Sequence, residues 1–346
     1  MNRFIPIILF IQCSFSTLLA QDLLFAPTGA GQQILNPAIT GSLTSQKGSL
    51  TAFYQGLWDR PGSGKSYQGA ALVADMRFCL PNLEDGNYFA FGLVLQHDWN
   101  PQGGLANSWA RFSGAFHIRL TETVHASVGG YAGALNYRLN PDGFRFDAQY
   151  QNGNYNPAAS NGETFSGNGS TQLDLGSGLS FYDGEGHWSA GLAWHHLNKP
   201  AYTLFEDEAN RLGIGWALHA AYATRKLTNG KPAMILRGVY RRQSFTGSDS
   251  EQWQSMAGVF YRGSVKGTVP SFFYFGAYVR LGGASGRSAN INSLVPALQL
   301  NGDRFGFSMS YDVNLVRMRS RLPGGIELSL NYNFGEMGRC AICPVL

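Results

Sequence analysis

The feature that most constrains this chain is a period of two. Along most of its length, short stretches alternate an apolar side chain with a small or polar one. That is the repeat of an extended strand whose two faces meet different surroundings. From Tyr88 to Asp98 one face carries Phe89, Phe91, Leu93 and Leu95, and the other Ala90, Gly92, Val94, Gln96 and Asp98. Likewise Leu173, Leu175, Leu179 and Phe181 oppose Gln172, Asp174, Gly176, Gly178 and Ser180. Leu212, Ile214, Trp216 and Leu218 oppose Arg211, Gly213, Gly215, Ala217 and His219.

Fourteen such stretches are readable, at about 49–58, 66–78, 87–98, 107–120, 124–136, 171–182, 187–197, 211–225, 232–244, 251–262, 272–281, 293–301, 305–314 and 325–334. Most exceed the roughly five or six residues of a soluble sheet strand. They match the roughly 9–11 residues that a tilted transmembrane strand needs, and after residue 20 no apolar run reaches the length of a spanning helix. An even number suits a bacterial outer-membrane barrel. Lipid cannot satisfy backbone amides, so strands that cross it must close on one another and turn their apolar side chains outward. The expected fold is therefore all-β: one transmembrane antiparallel β-barrel in the outer membrane, with the Gly-, Ser- and Gln-bearing face inward. A soluble sandwich or propeller is the competing architecture. Charge opposes it, because Lys, Arg, Asp and Glu make up only 14% of the chain, against roughly 25% in soluble domains.

Residues 1–20 read as a secretory signal, with Arg3, an apolar stretch from Phe4 to Ile11, and Ala20 before the cut. Residues 21–48 are expected to form a periplasmic segment, 49–334 the barrel, and 335–346 a periplasmic tail. From a periplasmic start, odd-numbered connections should be long and outside the cell. Residues 137–170 and 198–210 fit that rule, and 121–123, 183–186 and 302–304 are short even ones. The connection at 263–271 is longer than the rule wants. Trp58, Trp99 and Trp253 fall at outer strand ends, where an aromatic girdle belongs. Trp109 has inward parity, and the stretch 232–244 is ambiguous because Arg237 and Arg241 share a face with Ile235 and Val239.

Polar chemistry is sparse. The six lysines and twenty arginines are scattered, and a net charge of +4 without a basic block excludes a nucleic-acid partner. No Ser in a nucleophile elbow accompanies His195 and His196, so no enzyme is expected. Cys340 and Cys343 form a single C-x-x-C pair, too few ligands for a structural zinc site. No cofactor or metal is expected. The inward charges are the most informative polar feature: Arg111, Arg119, Arg211, Arg225 and Arg280 against Asp75, Asp98, Asp174, Asp312 and Glu327. Pairing among them would fill the barrel, because buried charges need partners. The mature chain keeps three cysteines. Cys79 falls in a periplasmic turn and Cys340 and Cys343 in the tail, so either Cys79 bridges to the tail or the two tail cysteines bridge locally.

Several motifs together resemble the PorP/SprF family of type IX secretion proteins. They are Leu35-Asn36-Pro37-Ala38 with Gly41, then Tyr54 and Trp58, then Ser66, Asp75, Gly92 and Asp98. Gly191 to Pro200 follows, with the His195-His196 pair, then Ser310-Tyr311-Asp312, Gly324 to Leu330 with Tyr332, and Cys343-Pro344. Gln55 and Leu57 replace the Arg and Gln that the family carries around Tyr54 and Trp58. The resemblance spans about residues 22–344 and implies a barrel without enzymatic activity. It implies an accessory for secretion or surface retention of cargo with a C-terminal sorting domain, such as gliding adhesins. Its implied partners are that cargo, the periplasmic ring and outer-membrane translocon components, besides the lipid bilayer. A passive or substrate-specific porin is the alternative, and an open or blocked lumen separates the two.

Overall fold

A computed structural model describes residues 31–44, 46–58, 66–80, 83, 86–100, 104–140, 145–151, 154–160, 169–202, 211–246, 248–265, 271–284, 290–315 and 324–336. Among these residues fourteen long strands form one sheet. They are β1 Gly48–Trp58, β2 Ser66–Phe78, β3 Tyr88–Trp99, β4 Leu105–Arg119 and β5 Val124–Leu139. Next come β6 Ser170–Asp183, β7 Trp188–His195, β8 Gly215–Ala223, β9 Ala233–Thr246 and β10 Ser248–Val265. The last are β11 Ser271–Ala284, β12 Asn290–Asn301, β13 Phe305–Asn314 and β14 Gly324–Phe334. Each pairs antiparallel with its sequence neighbours, and β14 pairs with β1 from Phe334↔Gly48 to Gly324↔Trp58. The sheet is thus a closed barrel without free edges, as the fourteen alternating stretches require.

The alternation maps directly onto the wall. Successive residues of β3 are buried and exposed in strict turn, with Phe89, Phe91, Leu93 and Leu95 all outward. Leu50, Leu72, Phe112, Leu173, Leu218, Phe275 and Leu330 are likewise exposed on other strands. In water such a surface would aggregate; in lipid it is the required one. The ambiguous strand resolves with Ile235, Arg237 and Val239 inward and Met234 and Leu236 outward. Trp109 is buried inside, as its parity demands.

Three of the differences from the expected boundaries have a clear local reason. The ladder between β10 and β11 runs down to Val265↔Ser271, so the connection that looked too long shrinks to 266–270. β7 stops at His195 because His196 takes a left-handed conformation, φ 57°, and turns the chain out of the ladder. The Asn198 side chain then takes over the vacated edge of β6. It donates to the Leu173 carbonyl at 2.6 Å and accepts from the Leu175 amide at 3.1 Å. The third concerns the expected strand 211–225. Arg211 and Leu212 form a separate bridge to Thr246 and Phe245, and the ladder resumes at Trp216↔Arg242 shifted by one residue. A one-residue slip inverts the faces. Leu212 points in and Arg211 is exposed.

The largest correction concerns the N-terminal segment expected to stand in the periplasm. Its described part, residues 31–44, lies inside the barrel: Gln33, Asn36, Ala38, Ile39, Thr40 and Ser42 are all buried against the wall. A short helix, α1 Gly31–Leu35, leads into a 3-10 turn at Pro37–Ile39. Asn36 caps that turn by accepting from the Ala38 amide at 2.9 Å, and Pro37 supplies the fixed φ of a first helical position.

Candidate functional site: the plugged lumen

Among the inward-facing glycines, four stand on the strands of one side of the lumen: Gly92 on β3, Gly129 on β5, Gly178 on β6 and Gly191 on β7. Together they leave a track in the wall, and the N-terminal segment occupies it. A Cβ at Gly129 would lie 2.7 Å from both Ala38 Cα and the Pro37 carbonyl oxygen. One at Gly178 would overlap Asn36 Oδ1, and one at Gly92 would overlap Gln33. Glycine inside a strand weakens it but lets another backbone approach closely, and here the approaching backbone belongs to the same chain.

Polar side chains from five strands, and a main-chain carbonyl of a sixth, hold the segment. His195 Nε2 donates to the Leu35 carbonyl at 2.9 Å, Ser127 Oγ to the Ala38 carbonyl at 2.7 Å, and His117 Nε2 to the Thr40 carbonyl at 2.8 Å. Asp75 accepts from the Gly41 amide at 2.7 Å and from Ser49 Oγ at 2.5 Å. Arg77, buried beside the Tyr88 ring, donates to the carbonyls of Gly41 and Thr44. Asn36 Nδ2 donates to the Leu179 carbonyl at 3.0 Å and to His219 Nε2 at 2.9 Å. Ile34 and Leu43 add apolar contacts to Phe53, Ala71, Val73 and Val94.

The charges expected in the lumen divide into two sets. Asp174 is fully buried and gathers Arg111 Nε at 3.3 Å, His196 Nδ1 at 2.8 Å and Tyr131 Oη at 3.2 Å. Arg111 also lies over the Tyr131 ring, 4.9 Å from its centroid. Arg280 pairs with Asp312 at 3.0 Å across the intervening β12. Asp75, Asp98 and Glu327 are buried on the inward face. Arg119, Arg211 and Arg225 are not lumen groups. Arg119 ends β4 at the rim and donates to the Thr121 carbonyl, Arg225 follows the end of β8, and Arg211 lies beyond the slip; all three are exposed.

Sequence reasoning missed Arg77, His117 and His219, and it left Arg237 undecided. Arg237 projects inward between the Phe260 and Tyr274 rings, 5.4 and 5.6 Å from their centroids. Beneath it Ile235, Met256, Phe260, Tyr278 and Val295 form an apolar cluster inside the barrel. Tyr88, Tyr182, Tyr278 and Phe260 face inward yet are almost wholly shielded from solvent. A water-filled pore would wet them. Among the described residues the plug occupies one side of the lumen and packed side chains the other. The inward glycines were the signal that something else takes the space.

Among the described residues no group of three or more His, Cys, Asp or Glu side chains is arranged to hold a metal ion. Cys79 is disulfide-bonded; Cys340 and Cys343 lie outside the described residues.

A family model described as type IX secretion system membrane protein PorP/SprF matches residues 30–332. No curated protein matches the chain. Among solved structures, the chain is similar to the deltaS2 mutant of the TodX monoaromatic hydrocarbon channel. Identity is 12% and the TM-score 0.51, covering 89% of this chain and 95% of that one. It is also similar to the CymD monoaromatic hydrocarbon channel, at 11% identity and TM-score 0.48, with 90% and 94% covered. A Pseudomonas aeruginosa FadL homologue aligns at 11% identity and TM-score 0.45, with 90% and 95% covered. At such identity the TodX likeness speaks to the barrel fold alone.

Proposed function

The chain belongs to the PorP/SprF family of type IX secretion membrane proteins, an integral outer-membrane barrel, and from that premise we propose that it is a non-enzymatic accessory of the system. In this reading it supports secretion or surface retention of cargo carrying a C-terminal sorting domain, adhesins included. It works beside the periplasmic ring and the outer-membrane translocon components. One observation carries the reading over the porin alternative: the lumen is occupied. Residues 31–44 fill one side, and the cluster around Phe260 and Tyr278 fills the other. A barrel packed in this way acts through its rims, outer loops and plug, not by passing solute.

The test is a deletion strain complemented with the wild-type gene. Loss of cargo from the cell surface or medium, restored by complementation, supports the accessory role. Unchanged cargo with impaired uptake of a small solute would replace it with the porin.

A further inference from the structure

The plug contacts have a chemistry of their own. Six main-chain atoms of the segment are read by wall side chains: the carbonyls of Leu35, Ala38, Thr40, Gly41 and Thr44 and the amide of Gly41. Side-chain recognition is narrower. It centres on Asn36, with Thr40 Oγ1 and Gln33 reaching Ser113 at 3.0 and 3.5 Å. The glycines that form the track let the segment's main chain come close to the wall and offer no side chain to read it. Recognition of this kind draws affinity from main-chain hydrogen bonds and specificity from a few pockets, the logic of peptide receptors. We propose that the lumen is a peptide-binding site whose resting occupant is the chain's own residues 31–44. An extended segment of another chain, rich in small residues and carrying an Asn where Asn36 sits, takes the same track when the plug leaves.

Two features bear on how the plug can exchange. The segment precedes β1 and is not threaded between strands, so it can leave without breaking the barrel ladder. Its departure also strips hydrogen-bond partners from His117, His195, Asp75 and Arg77, all buried. Losing hydrogen bonds to buried groups is costly, so departure is coupled to an incoming peptide that restores those bonds, and an empty track is disfavoured.

The experiment uses the purified full-length protein and a fluorescein-labelled peptide with the sequence of residues 31–44, read by anisotropy. In the wild type the tethered segment competes at an effective concentration of order mM, so micromolar peptide does not bind. Asn36→Ala weakens the tethered segment while leaving the wall intact. Peptide binding should then rise by roughly tenfold to a hundredfold, the equivalent of one or two lost buried hydrogen bonds. Adding Gly178→Val, which fills the Asn36 pocket, should abolish it. Ala38→Arg expels the tethered segment by bulk and serves as the second variant if Asn36→Ala fails to fold. Equal binding to Asn36→Ala and its Gly178→Val derivative overturns the proposal. So does a correctly folded Asn36→Ala or Ala38→Arg barrel that takes up no peptide, whether its own segment resists protease as in the wild type or is cleaved.

Discussion

Asn36 and His219, 183 residues apart in the chain, meet inside the barrel with Asn36 Nδ2 2.9 Å from His219 Nε2. The same amide nitrogen reaches the Leu179 carbonyl, and the amide oxygen accepts from Ala38. One side chain thus shapes the 3-10 turn and fastens it to β6 and β8. Each of its three bonds is buried or partly buried, where an unmade bond costs about 1–3 kcal/mol. This contact makes the segment before β1 part of the lumen.

The first expectation is electrical. With residues 31–44 in the track and Tyr278, Phe260 and Met256 packed opposite, wild-type protein in a planar bilayer should show no large, steady, salt-proportional current. A conducting wild-type barrel would contradict the packed lumen and restore the porin reading. Ala38→Arg, which drives the segment out of its place, should produce intermittent openings that the wild type lacks.

A second expectation concerns Asp174, which accepts from His196 and Tyr131 and pairs with Arg111. Asp174→Ala leaves Arg111 charged and buried beside Tyr131. Breaking a buried pair from one side costs about 3–5 kcal/mol. Asp174→Asn keeps one acceptor oxygen and should cost less. Thermal unfolding in detergent, followed by the heat-dependent gel shift of the barrel, should rank wild type above Asp174→Asn and Asp174→Ala lowest. Equal midpoints would mean that the cluster is wetter than its burial implies.

The fourteen strands were legible because lipid outside and packed side chains inside impose opposite demands on alternate residues. Parity alone placed Asp75, Asp98, Asp174 and Glu327 inside. It failed at Arg211 because the one-residue slip near Gly213 and Ile214 leaves no mark in the alternation. It failed for Arg119 and Arg225 because parity gives a direction but not the end of a strand. Residues 31–44 have no strand period, and their burial depends on partners as distant as His219, so no local pattern exposes it. What the sequence did hold was Gly92, Gly129, Gly178 and Gly191, four inward positions without side chains. Had these been read as missing volume, they would have called for an occupant.

A third expectation tests orientation. The connections after β4, β6 and β12 are short, whereas those after β5 and β7 span 140–169 and 196–214. Long connections belong outside the cell in outer-membrane barrels. An epitope inserted between Pro157 and Ala158, both exposed, should stain intact cells, since polar loop tips tolerate insertion. Staining only after permeabilisation, in a barrel that has inserted normally, would invert the topology.

The last expectation concerns Cys79. It follows β2 directly and is disulfide-bonded. Of the other cysteines, Cys13 falls in the expected signal, which leaves Cys340 and Cys343 in the mature chain. β14 pairs with β1 and β1 with β2, with Phe334 opposite Gly48 and Gly48 opposite Met76. The lateral step from the end of β14 to β2 is therefore two strand spacings, about 10 Å. The residues between Phe334 and Cys340 can extend about 20 Å, enough to bring the Cα atoms within the roughly 4.4–6.8 Å that a disulfide needs. Cys79 should therefore pair with Cys340 or Cys343, tethering the tail to the strand whose Arg77 grips Gly41 and Thr44 of the plug. Peptide mapping without reduction should recover a fragment containing Cys79 joined to the C-terminal peptide. A bridge confined to Cys340 and Cys343, or alkylation of all three thiols without reductant, would sink the tether. If it holds, reduction should speed amide exchange in residues 41–44 before it affects the barrel strands, because the restraint it releases lies two residues from Arg77.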